Sequence, residues 1–180
     1  MAPPYKTRID GIVVPARSRD NIASNAALLR QILNLTNKPY FPVVDVYEFL
    51  DLLFDGASFE VREVREMGED HGRTFPDKKV IYIREDIYER AYQGQARDRF
   101  TMCHELGHLM MHRGVALSRI DPLKPPKIYC NSEWQADTFA SHLLLPRNLL
   151  INYNSVLDVM TAFGVSFEAA QARLADMKNA

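Results

Sequence analysis

Cysteine is scarce. Two in 180 residues, Cys103 and Cys130, are too few for a disulfide framework, and a reducing cytoplasm is the compartment they suit. Net charge is nearly absent: 22 Lys and Arg against 23 Asp and Glu leave −1, with no electrostatic footprint for direct nucleic-acid binding. No apolar run approaches the roughly 18 residues of a membrane span, so no membrane contact is expected. The N-terminus, MAPPYKTRIDG, lacks the apolar stretch of a signal peptide. There is no internal repeat and no low-complexity segment. What remains is an ordinary globular balance, 47% hydrophobic and 25% charged, with enough length for one domain over 1–180 and a sizeable core.

Histidine is also rare, five in the chain, yet three fall within Arg99–Arg113, RFTMCHELGHLMMHR. His104-Glu105-Leu106-Gly107-His108 is an H-E-x-x-H pattern among good helix formers and without proline. On a helix, residues i and i+4 share one face, so His104 and His108 can offer imidazole nitrogens to a single ion. Glu105 lies one step around, able to reach a water on that ion but poorly placed to ligate it. Zinc chemistry asks for this division: neutral imidazoles as ligands and a free carboxylate to take a proton. The competing reading, two surface histidines on an amphipathic helix, suits the neighbours poorly. Phe100, Met102, Cys103, Leu106, Leu109, Met110 and Met111 surround the histidines, and ionisable groups on a buried helix need partners.

A third ligand is required. His112 continues the i+4 series, but another turn adds about 5 Å along the axis, too far for an ion held by His104 and His108. It is expected to end the helix and to bond the backbone or a nearby loop. The extended pattern H-E-x-x-H-x-x-G-x-x-H is excluded, because Met111 and Gly114 stand where it needs glycine and histidine. Glu133 is the better candidate. Ser132 with Gln135 fits a capping box, which would put Glu133 in the first turn of a helix where the dipole favours a carboxylate. Asp137 follows one turn along on the same face, able to hold the N–H of a ligating histidine. Ala136 and Ala140 would let the two helices approach closely. A solvated acidic face is the usual reading of such a pair; the upstream H-E-x-x-H reverses it.

RFTMCHELGHLMMH, followed some two dozen residues later by ExxADxFASHLLLP, resembles the ImmA/IrrE-type metallopeptidases; the Glu-xxx-Asp spacing is also similar to that of thermolysin-like gluzincins. The likeness is specific over Arg99–Arg147 and softer elsewhere. It implies a zinc-dependent protein whose relatives cleave, or otherwise relieve, helix-turn-helix repressors. Spacing alone implies only a metal-assisted hydrolase.

The fold class expected is α+β, mostly helical, zincin-like, with a small twisted sheet backing the H-E-x-x-H helix. Residues 1–17 read as an irregular arm. Helical spacing covers Ser18 to Leu33, with Ile22, Ala26, Leu28, Leu29, Ile32 and Leu33 inward, and a second helix runs from Pro42 to Leu53. Strands are expected over Ser58–Arg65 and Lys79–Arg84, with Met67–Asp77 a charged turn region between them. Lys79–Arg84 and the strand before it are candidate edges for an extended peptide. A helix over Glu85–Gln93 precedes the metal-bearing helix from Ala96. Gly114–Cys130 reads as a loop ordered by Pro122, Pro125 and Pro126. A short helix follows Pro146 through Tyr153, and 154–180 form a helical hairpin. Its Gly164-Val165-Ser166 turn is like that of a helix-turn-helix reader. The second helix offers only Arg173 and Lys178 against Glu168 and Asp176, so a packed hairpin is the better reading.

The mechanism expected is hydrolysis of a protein substrate at one zinc ion held by His104, His108 and Glu133, with Glu105 as general base and Asp137 orienting a ligand histidine. Manganese or iron suit the same ligands. Tyr129, His142 and Arg119 are each candidates to stabilise an oxyanion, and nothing in the sequence chooses among them. Cys103 and Cys130 flank the proposed ligands, with buried inert thiols the commoner case. Two other classes stand beside the enzyme. One is an antirepressor that binds a regulator without cutting it. The other, a structural metal site, fits poorly with a free Glu105 and an absence of cysteine ligands.

Overall fold

The computed structural model describes residues 11–115, 118, 119 and 126–178; for 118, 119 and 178 it describes the backbone alone. The fold is α+β and predominantly helical. In chain order it runs β1 (Ile12–Val13), α1 (Arg19–Ile32), α2 (Val43–Glu48), α3 (Leu50–Leu53), β2 (Ser58–Arg62), α4 (Val64–Met67), β3 (Gly72–Phe75), β4 (Val80–Arg84), α5 (Glu85–Tyr92) and α6 (Ala96–Met111). Then follow β5 (Ser118–Arg119), a 3-10 turn at Ile128–Cys130, α7 (Ser132–Leu144), α8 (Arg147–Leu150), α9 (Val156–Phe163) and α10 (Phe167–Lys178).

β4 is the centre of a three-stranded mixed sheet, parallel to β2 and antiparallel to β3. Its apolar alternation buries Ile81 and Ile83 completely. One face of the sheet carries α6. Beyond α6 lies α7, and beyond α7 lies α1. α6 is therefore covered on both sides, as its apolar surround demands: Met102, Cys103 and Leu106 are fully buried. Arg99, wholly buried in the first turn of α6, donates to the carbonyls of Phe41 at 2.8 Å, Phe163 at 3.1 Å and Gly164. It thereby ties α6 to the turn between α9 and α10, where Gly164 takes a left-handed φ of 63°. Those two helices pack on the core through Val159, Phe163 and Ala170.

Several expectations need correction. The arm over 1–17 is not irregular throughout, because β1 pairs with β5 and Val14 N–H donates to the Cys130 carbonyl. β5 and the 3-10 turn also interrupt the expected 114–130 loop; Pro122 and Pro125 lie outside the described residues. The helix expected from Pro42 to Leu53 is broken at Phe49 (φ −113°, ψ 22°). On α1, Leu28 and Ile32 are 50% and 63% exposed, while Arg30 is buried instead, donating to the Leu143 carbonyl. β2 stops at Arg62, and Val64 opens a helical turn instead. Most consequentially, Gly72–Phe75 is a strand where a turn region is expected, which makes β4 central and unavailable as a peptide-binding edge.

Candidate metal centre

α6 presents His104 and His108 one turn apart on the face that meets α7. A Cβ on Gly107 would stand 3.2 Å from Ala136 Cα and 3.1 Å from Phe139 Cδ1, so the glycine lets the two helices pack at this separation. Ala136 and Ala140, both fully buried, supply the matching small surface on α7. The approach sets the Glu133 carboxylate opposite both rings. His104 Nε2 and His108 Nε2 are 2.9 Å apart, and each lies 3.3 Å from one Glu133 oxygen.

Glu133 is in the first turn of α7, but the cap is one residue earlier than the capping box implies. Asn131 Oδ1 accepts from the N–H groups of Glu133 at 2.7 Å and Trp134 at 3.1 Å. Ser132 Oγ instead accepts from Ile12 N–H, and Gln135 is directed inward.

The donor set suits a metal ion. Ligand atoms bound at about 2.0–2.1 Å around a tetrahedral ion stand roughly 3.3 Å apart, close to the spacings found here. His104 Nδ1–H donates to Asp137 Oδ1 at 2.7 Å, which leaves its Nε2 turned to the cluster. Two ring nitrogens and a carboxylate converging this closely require a cation among them. In the metal-free protein a proton serves. Burial opposes charge on His104, but its hydrogen bonds to Asp137 and Glu133 outweigh that and raise its pKa to about 10. Burial acts against ionised Glu133 too, yet the hydrogen bond from His104 and the facing imidazole of His108 hold its carboxyl well below the usual range.

Glu105 lies against β3, is 7% exposed, and is near enough for its charge to help raise the His104 pKa. Thr74 Oγ1 donates to Glu105 Oε2 at 2.5 Å and stands 3.1 Å from the Glu105 carbonyl. Two residues earlier Gly72 passes so close that a Cβ there would meet Glu105 Cγ at 2.7 Å and Oε1 at 2.8 Å. Sequence reasoning missed both residues because it missed the strand. The one signal was a glycine within Gly72-Arg73-Thr74-Phe75, beside a run of strand formers.

Residues 58–175 match the model of the IrrE N-terminal-like domain, Peptidase_M78, well over half of the chain. The chain belongs to this family. The match opens at β2 and closes within α10, so it takes in the sheet, α6, α7 and the final hairpin. A solved structure, a Mycobacterium tuberculosis transcriptional regulator, superposes with a TM-score of 0.58 at 15% identity, over 86% of this chain and 46% of that one. That likeness is one of fold, and this chain spans about half the regulator's length. Among curated proteins none matches in sequence.

Other predicted residues of this IrrE-type domain fall differently. His112 ends the helix as expected, its N–H on the His108 carbonyl, but its side chain bonds neither backbone nor loop: it is 3% exposed, with Nδ1 at 2.9 Å from His108 Nδ1 and Nε2 at 3.2 Å from Gln135 Oε1. Burial, reinforced by the neighbouring His108, lowers its pKa to about 4 and keeps it neutral. His142 is nine residues along α7 from Glu133, about 13 Å by helix rise, and is bonded to Arg173 at 2.7 Å. It is removed from the cluster. The Tyr129 ring packs with Lys127 Nζ, 5.7 Å from the ring centre. The Arg119 side chain lies outside the described residues. Both cysteines are free, and burial pushes the Cys103 thiol up to about 12, an inert group. No helix among the described residues is long and apolar enough to cross a membrane.

Proposed function

We propose that this chain is a zinc-dependent endopeptidase acting on a protein substrate, with a helix-turn-helix type repressor as the class to test first. The observation that carries the reading is the convergence of His104, His108 and Glu133 beside a buried Glu105 that none of them engages. His104, His108 and Glu133 would hold the ion. A zinc ion bound there would supply Lewis acidity, acidifying water and polarising a peptide carbonyl. Glu105 then takes the proton of the attacking water and passes it to the departing amine. Thr74 keeps one Glu105 oxygen engaged, so the carboxylate meets the reaction in one orientation. Asp137 holds His104 with Nε2 towards the cluster. The second edge of β3 pairs with no strand among the described residues, and a substrate segment added there would run beside Glu105. Two free cysteines and a chain without a membrane-crossing helix among its described residues suit the cytoplasm.

The family supports a metallopeptidase-like, regulator-associated role, and the solved structure that shares the fold is a transcriptional regulator. A non-cleaving antirepressor shares that background. Glu105→Gln separates the two: the peptidase reading expects zinc retained and repressor cleavage abolished. Relief of repression that persists in Glu105→Gln, with the repressor uncut, would favour the antirepressor.

A further inference from the structure

Gln135 is wholly buried, and both ends of its side-chain amide are hydrogen-bonded. Its amide nitrogen donates to two carbonyl oxygens, those of Pro15 at 2.9 Å and Tyr129 at 2.8 Å. The reverse orientation would set the amide oxygen against both carbonyls, so Oε1 must be the atom facing His112. An amide oxygen only accepts, and His112 Nε2, 3.2 Å away, must therefore carry a proton. His112 is buried with no carboxylate among its hydrogen-bond partners, so nothing holds a second proton on the ring. Its Nδ1 is then a lone pair. Opposite, at 2.9 Å, lies His108 Nδ1, which must be the donor. A neutral ring with its proton on Nδ1 has Nε2 unprotonated, here turned towards His104 and Glu133.

We propose that Gln135, acting through His112, fixes His108 in the tautomer that leaves Nε2 free for a metal ion. The two ligand histidines are thus set by different devices, His104 by the Asp137 carboxylate and His108 by an imidazole and an amide in series. The origin of the second device lies outside the site, in the backbone at Pro15 and Tyr129. Gln135 and His112 are positioning residues, since neither belongs to the His104, His108 and Glu133 donor set. The geometry stands by itself; its use rests on the metal reading of His104, His108 and Glu133.

Long-range proton–nitrogen correlation spectra of the full, 15N-labelled, chelator-treated chain test this directly. The expected result is His108 protonated at Nδ1 and His112 at Nε2. In Gln135→Met, His112 should spread over both tautomers and His108 should follow, while the Asp137-held His104 signals stay in place. Zinc affinity, read by competition with a chromophoric chelator, should fall about 10- to 100-fold in Gln135→Met and in His112→Phe. A wild-type His108 protonated at Nε2 would overturn the proposal. So would variants that keep both tautomers and bind zinc within about twofold of the wild type. Should a variant fail to fold, the wild-type spectrum alone decides. A wild type with the stated tautomers but no zinc uptake would overturn the metal reading and uphold the tautomer chain.

Discussion

Thr74 Oγ1 and Glu105 Oε2 lie 2.5 Å apart, and through that bond the edge strand β3 holds the carboxylate carried by α6. A hydrogen bond to an ionised carboxylate in a buried setting is of the stronger kind, worth about 1.5–3 kcal/mol. Thr74→Val keeps the shape and removes the donor. Cleavage of a repressor or of a quenched-fluorescence peptide pool should slow about 10- to 100-fold. Zinc content should stay at the wild-type level, because Thr74 touches no ligand. Equal loss of zinc and turnover would contradict the assignment.

Gly72 is required for a different reason. A methyl group there collides with Glu105 Cγ, Cδ and Oε1 at 2.7–2.9 Å, and Glu105 must move. Gly72→Ala should abolish turnover while sparing zinc, the same separation expected of Glu105→Gln. Wild-type turnover in the alanine variant would mean that the position of the Glu105 carboxylate is unimportant.

At Gly107 the clash is between helices. In Gly107→Ala the added methyl meets the Ala136 backbone at 3.2 Å and forces α6 from α7, moving Glu133 relative to His104 and His108. Overpacking of this kind costs about 1–3 kcal/mol, offset in part by a helix-propensity gain of up to ~1 kcal/mol. Zinc affinity should fall about tenfold, as for loss of a supporting contact. Unchanged affinity by chelator competition would show that the helix spacing does not set the site.

His104 predicts how zinc binding depends on pH. Its pKa rises from 6.5 to about 10 in the metal-free fold, so the proton's stabilising effect is complete below about pH 6.5 and lost as pH rises through 10. A metal ion must displace that proton. Between pH 7 and 9, apparent zinc affinity should rise about tenfold per unit, and calorimetry in buffers of different ionisation enthalpy should register proton release. Affinity flat across that range would contradict a protonated His104.

Much of this site is legible in the chain because its signals are local. His104, Glu105 and His108 announce themselves through helix period and residue type, and Glu133 with Asp137 through the same period on a second helix. Thr74 and Gly72 are not legible. β3 is four residues long, carries a glycine and an arginine, and exists because β4 and α6 offer it a place. Gln135 misleads for a similar reason: the Ser132–Gln135 spacing fits a local capping box, but Asn131 caps the helix and a distant carbonyl at Pro15 takes the glutamine. Arg30 escapes notice on α1 because its burial depends on carbonyls presented by Lys38, Pro39 and Leu143. In each case a tertiary partner overrides the local pattern.

The metal content of the purified chain, measured beside His108→Ala, Glu133→Ala and Glu105→Gln, is the decisive test of a zinc site at His104, His108 and Glu133. Near-stoichiometric zinc is expected in the wild type and in Glu105→Gln, and loss in both ligand variants. Zinc retained in Glu133→Ala, or absent from the wild type even after zinc is supplied, would contradict it.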